Sequence, residues 1–103
     1  MTKKIDILIK EPGQPWRLAT VEDTLPVYQQ IVGGYIEGVT TTSTGVHIFA
    51  NEEGKLLGLE PNFWIHGDVI VGTAFAVRSD EEGEFQSVTP DDLARFTDFP
   101  QYL

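Results

Sequence analysis

His66 and Asp68, one glycine apart, are the residues best spaced for acid–base chemistry, because an imidazole beside a carboxylate is how many enzymes orient a general base. The same three residues also form an ordinary polar turn. The turn is the commoner outcome, and a hydrolase built on His66 and Asp68 ranks last among the functions considered. Ser43, Ser79 and Ser87 sit in no nucleophile-elbow pattern, and His47 alternates with apolar residues as a sheet-face residue does. Metal chemistry has little to build on. The chain has no cysteine, and its two histidines are too far apart for a zinc-ligand spacing. Asp80, Glu82 and Glu84 supply oxygen donors, but the rest of a calcium loop is missing. The expectation is therefore no catalytic residue, no dedicated metal and no cofactor.

Binding chemistry is better represented. Phe63-Trp64-Ile65, between Pro61 and Gly67, is either a core plug joining two strands or, if exposed, an anchor for a base or a protein interface. His66 and Tyr35 are assigned to the same candidate surface. A second candidate is the acidic group Asp80, Glu81, Glu82 and Glu84. From Ser79 onward, seven acidic residues face Arg95 alone, which suits either a solvated end or a surface for a basic partner. Gly33-Gly34 follows a helical pattern instead of preceding one, so it reads as a helix stop and not as a phosphate cradle.

The elements that must hold these groups follow from periodicity. Ile5, Ile7 and Ile9 alternate with Asp6, Leu8 and Lys10, a strand with apolar residues on both faces and hence a central one. Pro12 and Gly13 turn it into a second strand from Trp16 to Val21. Asp23 or Thr24 caps a short helix in which Leu25, Tyr28 and Ile31 or Val32 share a face, and Gly33 ends it. Strands are expected over residues 35–42, 46–50 and 69–78. Asn51-Glu52-Glu53-Gly54 and Asp80-Glu81-Glu82-Gly83 read as two similar hairpin turns. The last helix is the best specified. Thr89 is its N-cap, Pro90 its first residue and Asp92 the capping-box acid, and Val88 and Leu93 have hydrophobic-staple spacing. The predicted fold is a single α+β domain over residues 1–103, a mainly antiparallel sheet with two short helices packed on one face.

Composition narrows the partners. Sixteen acidic residues against seven basic ones give a formal charge of −9, which repels nucleic-acid phosphates, so direct DNA or RNA binding is not expected. An apolar share of 41% in 103 residues suits one modest core. No apolar run reaches the ~20 residues of a membrane span, and the N-terminus enters a strand pattern without a signal-peptide core, so an intracellular, cytoplasmic protein is expected. An exposed strand edge offers a route to a homodimer.

One combination of short motifs goes further. Ile7-Leu8-Ile9-Lys10-Glu11-Pro12-Gly13 is followed by Ile31-Val32-Gly33-Gly34-Tyr35-Ile36-Glu37 and by the stretch from Asn51 through Gly54-Lys55-Leu56-Leu57-Gly58 to Pro61 and Asn62. Residues 67–75 and 83–89 complete the series. In this order they resemble the small domain-of-unknown-function family 3846, common in bacteriophages and other mobile elements, over nearly the whole chain. The resemblance implies a standalone accessory protein and brings no assigned activity or catalytic residue. Phe63-Trp64 stands where such sequences often carry a basic residue, which removes the ground for a shared cationic site there.

The function expected is that of a non-enzymatic accessory protein, with counter-defence as one such role, that binds a host protein through the acidic region or the aromatic stretch. The alternative is a small-molecule, nucleotide-like sponge or sensor with Lys55 or Arg78 converging on Trp64 or Tyr35.

Overall fold

The computed structural model describes residues 2–100 and residue 103; Met1, Gln101 and Tyr102, parts of the expected 1–103 span, lie outside the described residues. The elements run β1 (Lys4–Lys10), β2 (Arg17–Glu22), α1 (Leu25–Val32), β3 (Ile36–Thr41), β4 (His47–Asn51), β5 (Pro61–Ile65), β6 (Asp68–Val71), β7 (Ala74–Ser79), β8 (Phe85–Gln86) and α2 (Pro90–Asp98). The main sheet has the order β2-β1-β7-β4-β3, with β8 added to the end of β7, and β5–β6 forms a separate hairpin. Every pairing is antiparallel. This is the expected α+β domain with a mainly antiparallel sheet and two helices.

The helices differ from expectation in one respect: they lie on opposite faces. Along β1 and β7 successive side chains point to opposite sides, so both faces of these central strands are apolar and both must be covered. One face joins Ile5, Ile7, Ile9, Phe75 and Val77 to Tyr28 and Val32 of α1. Here Phe75 is stacked between Tyr28 and Phe49 at centroid distances of 5.0 and 5.2 Å. The other face presents smaller groups, Ala50, Ala74 and Ala76 beside Leu8 and Ile48. Trp16, Ile65 and Ile70 of the hairpin, and Phe96 of α2, fill the space above them. The alternation that makes β1 central also rules out a one-sided helical layer.

Local signals behave largely as read. Thr89 and Asp92 form a complete capping box on α2. Thr24 is the N-cap of α1 but makes no side-chain cap bond; the neighbouring Asp23 carboxylate instead accepts the Tyr28 hydroxyl at 2.6 Å. The two acidic turns differ from each other. Asp80 closes the β7–β8 hairpin, its backbone carbonyl accepting from Gly83 at 3.1 Å. Asn51 closes a similar first turn onto Gly54, but no strand pairs back from it, and the chain makes further turns before β5. A Cβ on Gly54 would meet Val71 at 2.8 Å, so this glycine serves close packing and not a hairpin.

The signature segments meet in space at one junction. The Asn51 side chain, buried, donates to the Val32 carbonyl at the end of α1 (3.2 Å) and accepts from the Glu53 amide (2.7 Å). Glu52 donates its backbone N–H to the Tyr35 carbonyl at 2.8 Å. A Cβ on Gly34 would stand 2.8 Å from the Asn51 amide nitrogen, so only glycine lets the chain pass there. These motifs carry the connection between α1 and the sheet.

Candidate functional site

The Phe63-Trp64-Ile65 stretch is a strand, β5, and strand alternation divides it. Ile65 is buried, Phe63 is half-buried against Trp16 (centroids 5.4 Å apart), and Trp64 points outward at 73% exposure. Phe63 and Ile65 thus face the core, as a plug would, and Trp64 alone of the three is exposed. Trp16 in turn meets Phe96 edge-on at 4.9 Å. Between the hairpin, Trp16 and α2 lies a cleft of about 240 Å³, walled by Trp16, Phe63, Trp64 and Phe96, with Lys10 at its edge.

Lys10 is held by a fixed amide. Asn62 Nδ2 donates to the carbonyls of Lys10 and Gly72, both at 2.8 Å, which leaves Oδ1 to accept from Lys10 Nζ at 2.8 Å. The ammonium lies 5.9 Å from the Phe63 ring centroid, and burial lowers its pKa below the usual lysine value. Sequence reasoning missed Lys10 and Asn62, because fifty-two positions separate two residues that the β1–β7 pairing and the hairpin bring together.

The other expected residues do not join this cleft. His66 occupies the β5–β6 turn with φ of 49°, its Nε2–H donating to the Leu103 carbonyl at 2.7 Å and its Nδ1 3.3 Å from the Thr40 hydroxyl. Asp68 pairs with Lys55 at 2.7 Å, and that hydrogen bond lowers its pKa. With both ring nitrogens and the carboxylate engaged elsewhere, the His66–Asp68 dyad does not form. His66 instead positions the residue-103 end of the cleft. Tyr35 is exposed but lines no part of this cleft.

The acidic group is at the other end of the sheet. Lys10 pairs with Ala74 at the start of β7, whereas Asp80 follows its last residue, about 20 Å further on at ~3.3 Å per residue. Asp80 is a turn organiser: one oxygen accepts from the amides of Glu82 and Glu84, the other from Gln86 Nε2. These bonds, the Glu84 amide foremost, lower its pKa. Glu81, Glu82 and Glu84 project into solvent. Arg78 does not converge on Trp64 either, being bound bidentately by Asp92 (2.6 and 2.8 Å).

A polar row on the α1 face had not been anticipated: His47 lies 2.8 Å from Thr41 Oγ1 through Nδ1 and 2.7 Å from Ser79 Oγ through Nε2. A serine beside an imidazole resembles a nucleophile and its base, but a hydroxyl stands where a carboxylate would orient the ring. The shallow depression touching His47 does not reach Ser79. The row therefore reads as a polar tie across three strands. Among the described residues, no group of three or more His, Cys, Asp or Glu side chains is arranged to hold a metal ion, and no helix is long and apolar enough to cross a membrane.

A family model described as "Domain of unknown function (DUF3846)" matches residues 3–101, and the chain belongs to that family. No curated protein and no solved structure matches it.

Proposed function

We propose that this member of domain-of-unknown-function family 3846 is a non-enzymatic binding module that grips a protein partner through the aromatic cleft beside Trp64. The observation that carries this reading is an exposed tryptophan standing at the mouth of an apolar cleft. Tryptophan beside a partly formed pocket is the usual composition of an interface hot spot. The size of the cleft favours a protein over a small molecule. Sites for drug-sized ligands run from about 300 to 1,000 Å³, whereas about 240 Å³ suits one large side chain inserted from a partner. The pairing of Lys55 and Arg78 with carboxylates also removes the cations that a nucleotide-like ligand was expected to use.

In this reading the protein works in the cytoplasm as a phage or mobile-element accessory, occluding a host protein's surface, with counter-defence as one such role. Glu81, Glu82 and Glu84 act at a distance from the contact, steering a basic partner and raising its association rate.

Affinity purification from host cells tests this with three baits: wild type, Trp64→Ala, and a triple charge reversal at Glu81, Glu82 and Glu84. The expected result is a defined partner held by wild type and lost by Trp64→Ala. Charge reversal should slow association and flatten its salt dependence without abolishing the complex. A partner retained at unchanged affinity by Trp64→Ala would overturn the cleft as the contact.

A further inference from the structure

We propose that Lys10 is an anion anchor for the cleft, so that the partner segment it receives carries an acidic side chain next to the aromatic residue that fills the cleft. This rests on the binding reading above and names the chemistry of the occupant.

Among the described residues lining the cleft, Lys10 alone has a charged side chain. The chain has sixteen acidic residues and seven basic ones, three of which pair with a carboxylate among the described residues. Arg17, Lys55 and Arg78 each take one. Lys10 is held by the neutral Asn62 amide, whose orientation is locked by two backbone carbonyls. An amide oxygen satisfies one of the three ammonium donors and leaves the charge uncompensated. The lowered pKa of Lys10 agrees with that geometry, since burial is not offset by a nearby anion.

An incoming carboxylate would supply the missing charge at the cleft's edge while the adjacent aromatic side chain packs among Trp16, Phe63 and Trp64. The strongly acidic turn does not forbid this. It lies about 20 Å away along β7, beyond a Debye length of about 8 Å at physiological salt. The partner as a whole can therefore be basic while the segment at the cleft is acidic. Long-range steering and local recognition act on different parts of its surface.

The test uses two blocked tetrapeptides, Ala-Trp-Asp-Ala and Ala-Trp-Asn-Ala, which differ only in charge. Binding is followed by NMR through the indole N–H signals of Trp16 and Trp64. At low salt the Asp peptide should bind about fivefold tighter, the order expected of one partly exposed ion pair. Lys10→Gln should remove that preference without weakening the Asn peptide, and Lys10→Arg should keep it. Equal affinities in the wild type, or a preference that survives Lys10→Gln, would overturn the anchor and leave the cleft reading standing. If neither peptide shifts either indole signal, the cleft reading fails as well.

Discussion

Replacing Asp92 should be among the most damaging single changes outside the apolar core, because one carboxylate does two jobs. It accepts the Thr89 amide at 2.9 Å to complete the α2 cap, and it binds Arg78 through two bonds that tie the helix to β7. Its side chain is 5% exposed and that of Arg78 33%. Loss of an N-terminal cap costs about 1 kcal/mol. Removing one partner of a buried pair costs about 3–5 kcal/mol, and the partial exposure of Arg78 brings this nearer to 2. Asp92→Ala should therefore lose about 3 kcal/mol, or about 12–24 °C in Tm for a domain of this size. The pH dependence separates the charge from the cap. Burial by itself would raise the Asp92 pKa, but the Arg78 hydrogen bond, the Thr89 amide and the Arg78 charge outweigh it and hold it below the ordinary value. A depressed carboxylate pKa means that the stabilisation is complete above the unfolded-state value, about 3.9, and is lost as pH falls through the lower folded value. Thermal melts of wild type and Asp92→Asn should thus differ most near pH 7 and converge in acid. A gap at acid pH as wide as at neutral pH, or a loss below about 1 kcal/mol for Asp92→Ala, would refute the assignment.

The aromatic cleft predicts a contrast between its walls. Phe96→Ala, at 1% exposure, should cost about 3–5 kcal/mol in denaturant unfolding, whereas Trp64→Ala should change stability by no more than about 0.5 kcal/mol while removing partner binding. Asn51→Ala leaves the Val32 carbonyl and the Glu53 amide without their side-chain partner; it should cost about 2 kcal/mol in equilibrium unfolding and speed amide exchange at the end of α1. Gly34→Ala should damage the same junction, and a double-mutant cycle with Asn51→Ala should show strong coupling instead of additivity.

The sequence by itself determined the elements whose causes are local. The box of Thr89, Pro90 and Asp92 and the helix stop at Gly33 depend on contacts within a few residues, and both are present. The apolar pattern of β1 also marked it as central. Period-two alternation would equally have divided Phe63-Trp64-Ile65 into inward and outward residues, had the stretch been recognised as a strand and not as a loop. His66 and Asp68 are close in sequence, yet each has a partner from elsewhere in the chain, which no local spacing discloses. Only the tertiary structure decided which face each helix covers. It also brought Lys10, Trp16, Phe63 and Phe96 to one cleft and placed the acidic turn at the opposite end of β7. The physical reason is strand pairing across long sequence separations. It sets register and face through hydrogen bonds between distant segments, so the candidate site is a product of the sheet and not of any one motif.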